Sequence, residues 1–341
     1  MPTRLGVLKG HTQAVLCCEA LFAQSLLASG DENGAVCMHD LRSHALTARV
    51  QVSAEEAVPS LLLDRKQEYR VLACAGNDII ELDLRKGDAN CCVRQHSCTA
   101  AEINQLAAAP EGNLLAAADD DGCVTIIDSG NEQFHCQKLN GNHDNICSSA
   151  VFRRHKPNEV ISGGLDCKLI HWDTTTRGVV STRQAGAEST TEPKVTNPPM
   201  IHSLAVSSSC ECPAAQLVAA ACGNGTIAVW DLDKGRSTAN KQTRARQRRP
   251  EYVLGDDQIG HRAAATCVKF VGADTQRLLS GGNDCQLCLW QHANMCVRRD
   301  CSRWLNNPHA ADMIKERLLE KAQIPATVAA LIVGHTMHRC C

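Results

Sequence analysis

The sequence has few aromatic residues, no long apolar run and almost no net charge. Aromatics make up 3% of the 341 residues, so a core must be filled by Leu, Val, Ile, Ala and Cys. No apolar run approaches the roughly 20 residues that a membrane-spanning helix needs. The formal net charge of -2 gives no chain-wide attraction to nucleic acid or anionic membrane. Binding of either kind therefore requires a local patch.

The first residues of the chain predict a compartment. Met1–Leu5 leads directly into polar, periodic sequence and lacks the apolar segment of a secretory signal. We therefore expect an intracellular protein, in the nucleus, the cytoplasm or both. In those compartments the 21 cysteines are expected to be reduced thiols.

One cysteine pair has the spacing of a metal site. Cys285 and Cys288 form the only C-x₂-C pair in the sequence. We expect residues 285–290 to be extended, and positions three apart in a strand point to opposite faces. The two thiols then cannot share one ion, and no second pair completes a tetrahedral site. We predict no metal and no other cofactor, with cysteine serving as a small buried hydrophobe.

A unit of the sequence is repeated six times. The clearest copy, Val160–Asp173, consists of an apolar strand, a small-residue turn, a second apolar strand, and an aromatic residue followed by Asp. Residues 278–290 follow the same pattern. The other copies are residues 27–40, 71–83, 115–128 and 218–231. Internal repeats of this kind predict a fold built from stacked supersecondary units.

The spacing of the copies identifies the size of the unit. The residue that closes each copy stands at 40, 83, 128, 173 and 231 as Asp, and at 291 as Gln. The separations are 43, 45, 45, 58 and 60 residues. The first three match the length of a four-stranded propeller blade, and the last two match that length plus an insertion. Short apolar segments bounded by Gly, Asn and Asp predict β-strands throughout.

Two dipeptides make the pattern specific. Gly-His stands before the first and sixth copies (Gly10-His11 and Gly260-His261), with Asn142-His143 as a variant. Trp-Asp closes the fourth and fifth copies. This combination, over about residues 5–291, resembles the WD-repeat family. The resemblance implies an all-β, seven-bladed β-propeller whose seventh blade is degenerate or incomplete; six blades with a C-terminal tail is the alternative.

The chain is accordingly divided into one repeat domain and two irregular parts. We expect the propeller to span residues 5–304. Residues 234–250 form a basic, flexible insertion between blades five and six. Residues 305–341 form an irregular C-terminal segment with a short helix over Asn307–Gln323.

Ser, His and Asp in two copies suggest a hydrolase triad, but the resemblance implies a structural network. In that network Trp donates through its indole N–H, Asp orients His, and Ser links the two. A nucleophile needs an exposed tip and an oxyanion hole, and no G-x-S-x-G motif occurs. We predict that the protein is not an enzyme. The network residues are His143, Ser162, Asp166 and Trp172, and His261, Ser280, Asp284 and Trp290.

Other copies depart from this set. His39, Leu82 and Ile127 stand where Trp is expected. Asn33 and Asn224 stand at the Asp position of the turn. We expect these blades to depend on apolar packing and on neighbour contacts instead of the polar network.

Two adjacent copies end in Asp-x-Arg. Asp40-Leu41-Arg42 and Asp83-Leu84-Arg85 follow the last inner strand. In the WD-repeat family this box resembles the docking signature of substrate receptors for the cullin-four ubiquitin ligase, which the propeller adaptor of the ligase recognises. The copies ending at Asp173 and Asp231 lack it. Asp would fix the turn, and Arg would present a planar five-donor group to a partner.

The sequence therefore predicts a non-catalytic scaffold, a monomeric subunit of a larger complex. Its partners would be the ligase adaptor and a substrate protein, with no membrane. The alternative is a propeller associated with nucleic acid or ribonucleoprotein through the basic run 234–249. The basic residues of that patch are Lys241, Arg244, Arg246, Arg248 and Arg249.

Overall fold

The computed structural model describes most of the chain up to residue 291. The described residues are 7–21, 24–64, 69–86, 90–130, 134–186, 197–207, 216–233, 250, 252–255, 260–271 and 277–291. They form β-strands and turns. Within these ranges no helix is long and apolar enough to cross a bilayer.

The first three repeats each form a four-stranded sheet. Blade 1 contains β1 (Val15–Leu21), β2 (Leu26–Asp31), β3 (Ala35–Asp40) and β4 (Ala45–Gln51). Blade 2 contains β5 (Leu61–Leu63), β6 (Arg70–Ala75), β7 (Asp78–Asp83) and β8 (Cys92–Ser97). Blade 3 contains β9 (Ile103–Ala108), β10 (Leu114–Asp119), β11 (Val124–Asp128) and β12 (His135–Lys138).

Blades 4 and 5 also have four strands, and blade 6 has three in the described residues. Blade 4 contains β13 (Cys147–Arg153), β14 (Lys156–Gly164), β15 (Lys168–Asp173) and β16 (Gly178–Gln184). Blade 5 contains β17 (Ile201–Val206), β18 (Leu217–Cys222), β19 (Ile227–Asp231) and β20 (Tyr252–Leu254). Blade 6 contains β21 (Ala265–Val271), β22 (Arg277–Gly282) and β23 (Leu287–Gln291). In every sheet the strands pair in chain order, so each blade is a meander.

The chain divides into two compact units, and the boundary falls within blade 4. The first unit comprises Arg4–Ser162 and Trp172–Val179, and so contains blades 1 to 3. Among the described residues, the second comprises Gly163–His171 and those from Val180 onward, and contains blades 5 and 6.

In blades 1 and 5 the second strand is the most deeply buried. All six residues of β2 are buried, and so are all six of β18. Ala116, Ala117 and Ala118 in β10 are fully buried as well. A strand covered on both faces must be continuously apolar or small, which explains why these segments do not alternate with polar residues. The fourth strand is different, since most of β4 is exposed.

Apolar clusters lie between neighbouring blades. In the first unit one cluster joins Met38 of blade 1 to Leu61 and Ile80 of blade 2. A second cluster joins Ile79 of blade 2 to Leu115 of blade 3. In the second unit Val229 of blade 5 packs with Val268 of blade 6. Each of these clusters is shared by two blades, so the two blades stabilise each other.

Glycines at three hairpin turns let the loop that leads into the next blade pack on the turn. Gly34, Gly122 and Gly225 have φ of 77°, 74° and 84°. A Cβ on Gly122 would stand 2.6 Å from the carbonyl oxygen of His143, which lies in that loop. Any larger residue would be strained there and would also collide with this backbone.

The structure corrects one expectation about the cysteines. Residues 285–290 were expected to be extended throughout, but β23 begins at Leu287, and Cys285 occupies the hairpin turn with φ of 59°. Cys285 is exposed and Cys288 is half-buried. In the described part of the chain, no three His, Cys, Asp or Glu side chains are grouped as metal ligands.

The all-β propeller class is confirmed with six blades, and no seventh blade is shown. The segment expected to form it, residues 305–341 with the helix over Asn307–Gln323, lies outside the described residues. The basic insertion at 234–249 lies outside them too.

Substitution of Gly30 by Ala is expected to destabilise the fold through the contact between blades 1 and 2. A Cβ at Gly30 would stand 2.5 Å from Cγ1 of Val58 and 2.9 Å from Sγ of Cys17. We expect a loss of about 1–3 kcal/mol in the free energy of unfolding, measured by urea titration. Gly178→Ala is the control, because its nearest neighbour would be 3.5 Å away. Equal midpoints for both variants would contradict the packing argument.

Candidate functional site

Blade 6 contains a complete hydrogen-bonded network of four side chains. The indole Nε1 of Trp290 donates to Oγ of Ser280 at 2.8 Å. Nε2 of His261 lies 2.8 Å from the same oxygen, and its Nδ1 lies 3.0 Å from Asp284. Burial alone would raise the pKa of Asp284, but hydrogen bonds from His261 and from the amide of Arg262 outweigh it and lower that pKa. The network connects the loop leading into the blade to its second and third strands.

Blade 4 repeats the inner part of this arrangement. Trp172 donates through Nε1 to Oγ of Ser162 at 2.8 Å, and Nε2 of His143 lies 2.8 Å from that oxygen. All three side chains are buried. Asp166 accepts the backbone N–H of Lys168 at 3.0 Å, which closes the hairpin turn.

Blade 1 builds a similar network with a different acid, which sequence analysis missed. Asn33 occupies the expected Asp position, and this blade was expected to lack the network. Instead, Oδ2 of Asp31 lies 2.7 Å from Nδ1 of His11, and Nε2 of His11 lies 2.8 Å from Oγ of Ser29. Asp31 also accepts the amide of Ala35 at 2.9 Å. The available signal was a single acidic residue at the end of an otherwise apolar strand.

His39 stands at the Trp position in blade 1 but makes a different hydrogen bond. Its Nε2 lies 3.0 Å from the carbonyl oxygen of Lys9, while its Nδ1 is buried without a hydrogen-bond partner. Burial lowers the pKa of His39. The neutral imidazole thus hydrogen-bonds to the segment before blade 1, whereas the Trp of blades 4 and 6 hydrogen-bonds to a Ser.

Blade 5 keeps the Trp and lacks its partner. Trp230 is fully buried, and its Nε1 has no hydrogen-bond acceptor within the described chain. Ala220 stands where Ser162 and Ser280 stand in blades 4 and 6, ten residues before the Trp. An unpaired buried N–H costs about 1–3 kcal/mol, so this blade depends more on apolar packing.

The network serines are poorly placed for nucleophilic chemistry. Ser162 and Ser280 are each 0% exposed, and each accepts an indole hydrogen bond. A nucleophile must reach a substrate and must be freed from such bonds in the reactive state. The hydrogen bonds of these serines instead connect the strands of one blade.

An Asp at the end of the third strand closes the following turn in several blades. Asp128 accepts the amide of Gly130, Asp173 accepts the amide of Thr175, and Asp231 accepts the amide of Asp233. The distances are 2.9, 2.8 and 2.9 Å. None of these turns has Arg two residues after the Asp. The carboxylate alone is therefore sufficient to close the turn.

Blade 1 adds an arginine to the same turn. Asp40 accepts the backbone N–H of Arg42 at 2.7 Å. The guanidinium of Arg42 then folds back on that carboxylate, with Nε to Oδ1 at 3.4 Å and Nη2 to Oδ2 at 3.0 Å. The side chain of Arg42 nevertheless remains 75% exposed.

Blade 2 has the same arrangement with closer contacts. Nε and Nη2 of Arg85 donate to Oδ1 and Oδ2 of Asp83 at 2.9 and 2.8 Å. The Arg85 side chain is 59% exposed and that of Asp83 is 6% exposed. The hydrogen bonds from the arginines lower the pKa of Asp40 and of Asp83 to about 2. Both boxes thus present a guanidinium held in a fixed orientation by its own aspartate.

Comparison with a protein family agrees with the repeated geometry. Residues 2–40, 90–128 and 254–291 match the family model described as WD domain, G-beta repeat. Each matched segment ends at the last residue of the third strand in a blade, in blades 1, 3 and 6. Three separate segments of the chain are therefore similar to WD repeats.

Two known proteins resemble this WD-repeat chain over most of its length. The first is the WD repeat-containing protein 53 homolog of Dictyostelium discoideum, which is 27% identical over 322 residues. That match covers 87% of this chain and 80% of the relative. The second is a chain of the crystal structure of the mitotic checkpoint complex, with a TM-score of 0.63 and 16% identity. It covers 84% of this chain and 77% of that one, and the likeness shows the fold alone.

A WD-repeat propeller is suited to protein interaction, because rigid blades present many loops. Asp40, Arg42, Asp83 and Arg85 lie on such turns. The predicted basic patch is outside the described residues.

Substitution of Ala220 by Ser is expected to stabilise the protein. The hydroxyl would give Trp230 Nε1 the acceptor that Ser280 gives Trp290. We expect a gain of about 1 kcal/mol in the free energy of unfolding, measured by urea titration. The reverse change, Ser280→Ala, should lose about 1–3 kcal/mol. A destabilised Ala220→Ser protein would show that the blade 5 indole does not need an acceptor there.

The carboxyl groups of Asp40 and Asp83 are expected to titrate at about pH 2. Each should return toward the ordinary value of 3.8 when its arginine is replaced by Ala. The pKa of each carboxyl group is lower in the folded protein than in the unfolded protein. The ion pair therefore stabilises the fold at a pH above the unfolded-state pKa, and this stabilisation is lost as the pH falls through the folded-state pKa. The exposure of both arginine partners keeps that stabilisation small. Carboxyl ¹³C shifts in NMR measure both values, and a wild-type midpoint near the ordinary value would contradict the paired geometry.

Proposed function

We propose that this WD-repeat scaffold is a substrate receptor that docks on the propeller adaptor of a cullin-four ubiquitin ligase. The observation that carries the proposal is the pair of Asp-x-Arg boxes, Asp40–Arg42 and Asp83–Arg85. Both boxes have the same bidentate geometry, and both arginines are mostly exposed.

The arginines are not required by the turns that hold them. Asp128, Asp173 and Asp231 close equivalent turns without an arginine partner two residues on. An arginine two residues after the aspartate is therefore not needed to close such a turn. Its exposed and oriented guanidinium favours recognition of a partner.

The two boxes lie on corresponding turns of neighbouring blades in one unit. The amide after Asp40 donates to the carbonyl of Ser25, and the amide after Asp83 donates to the carbonyl of Tyr69. The Asp40 carboxylate chiefly raises the pKa of Arg42, and the side chain of Tyr69 contributes in the same direction. Tyr69 thus lies near Arg42 of one box while its backbone supports the other. Together the boxes form one candidate surface.

The donors that remain on this surface define the chemistry it can recognise. Arg42 uses Nε and Nη2 for its own carboxylate, and no acceptor in the described chain is bonded to its Nη1. Carbonyl or carboxylate oxygens on a partner can accept from that group. Pre-orientation by Asp40 reduces the side-chain entropy that is lost on binding.

The double variant Arg42→Ala plus Arg85→Ala is expected to lose the ligase adaptor. Tagged protein is recovered from cells, and the adaptor that accompanies it is quantified by mass spectrometry. We expect at least about a tenfold loss of adaptor, as removal of two interface hot spots predicts. The rest of the fold should be intact, because the aspartates still close both turns.

Arg177→Ala is the matched control, since Arg177 is exposed on the corresponding turn of blade 4. It should retain the adaptor, as should washing at moderate salt. Equal recovery of the adaptor with the wild type and the double variant would refute docking through these boxes. Recovery of nucleic acid with steep salt dependence would instead support the basic segment 234–249, for which the described residues supply no geometry.

A further inference from the structure

A ladder of side chains joins the outer strands of blades 2 and 3. The guanidinium of Arg94, on β8, lies 4.1 Å from the ring centroid of Phe134, just before β12. His96 meets the same ring edge-on, with centroids 6.3 Å apart. Nη2 of Arg94 also donates to the carbonyl of Ser129 at 3.0 Å. Alternate residues of β8 thus face the start of β12.

Two cysteines continue this ladder. Cys98 is two residues beyond His96, and Cys136 is two residues beyond Phe134. Both side chains are half-buried and pack against the apolar cluster between the two blades. Burial raises the pKa of the Cys98 thiol, and interaction with the neighbouring Cys136 thiol raises that pKa further. Both are free cysteines in the structure.

Their setting differs from that of other thiols in the same unit. Cys17 and Cys74 are buried and donate to backbone carbonyls, at 3.2 Å to Val58 and 3.3 Å to Ser60. A buried thiol of that kind is inert. Cys98 and Cys136 combine a thiol neighbour with partial exposure, which allows a small oxidant to reach them.

We propose that Cys98 and Cys136 are a redox-sensitive pair that forms a reversible disulfide between blades 2 and 3 on exposure to a hydroperoxide. Disulfide formation requires a sulfur separation of about 2 Å, which two thiols packed against the same cluster can reach by side-chain rotation. The ladder of Arg94, His96 and Phe134 fixes the two strands on which the thiols stand.

The chemistry proceeds in two balanced steps. The thiolate of Cys136 attacks one oxygen of the hydroperoxide; the O–O bond breaks, the alcohol or water leaves with a proton, and a sulfenic acid remains. The sulfur of Cys98 then attacks that sulfenic sulfur. The S–O bond breaks, and water leaves with the Cys98 proton. Two thiols are oxidised by two electrons, and one hydroperoxide is reduced.

Peptide mapping of the full chain tests the proposal. The protein is treated with hydrogen peroxide, remaining thiols are blocked with N-ethylmaleimide, and the chain is cut after Lys, Arg and Glu. Cys98 then lies in fragment 95–102, Cys123 in fragment 112–132 and Cys136 in fragment 133–138. We expect fragments 95–102 and 133–138 to be joined, two hydrogen atoms lighter than their sum, and to separate on reduction with dithiothreitol.

Two variants sharpen the result. Cys136→Ser should abolish the linked pair, whereas Cys92→Ser, which changes an exposed cysteine on the same strand, should retain it. Recovery of both fragments fully labelled with maleimide, under conditions that oxidise Cys92, would overturn the proposal. Linkage of Cys98 to a different cysteine would overturn it as well.

A second measurement needs no variant. Phenylarsine oxide bonds two adjacent thiols through one arsenic atom, and it should protect Cys98 and Cys136 together from maleimide. Protection of neither thiol, or of only one, would show that the pair does not come together in solution.

Discussion

The burial of both faces of each inner strand is the constraint on which the rest of this structure depends. β2 and β18 are buried at every position, and the clusters they belong to are shared between blades. Such strands admit small and aliphatic residues, which explains a core with few aromatics. They also admit very few polar atoms, and those atoms must be hydrogen-bonded. Ser280 illustrates this, since its one hydroxyl bridges Trp290 and His261.

Much of this architecture could be predicted from sequence, because the period and the boundary residues are local signals. The repeat of apolar strand, turn, apolar strand and Asp predicted six of the seven expected blades, and these six are present in the described residues. The position of Asp31 could not be predicted in the same way. Asp31 stands at a strand end, two residues before the expected turn position, and its side chain contacts His11. This contact depends on tertiary packing, which the local sequence does not show. Cys285 shows a similar limit, because its left-handed φ depends on the hairpin.

The Asp-x-Arg boxes show how far spacing alone can be taken. Sequence identified Asp40–Arg42 and Asp83–Arg85 as unusual, but spacing could not show where each guanidinium points. The structure adds that each arginine is paired with its own aspartate while most of its side chain is exposed. It also adds Tyr69, an isolated aromatic with no motif around it. Its proximity to Arg42 follows from the packing of blade 2 against blade 1.

The closure of these turns by aspartate alone has a consequence for how such a scaffold can diversify. Asp173 and Asp231 close their turns without an arginine two places later, so these turns do not require one at that position. A single codon change at that position can give or remove a guanidinium at negligible cost to the sheet behind it. The residue two places after each of these aspartates can therefore change from blade to blade while the turn is kept. New contacts can be acquired one blade at a time while the inner strands stay the same.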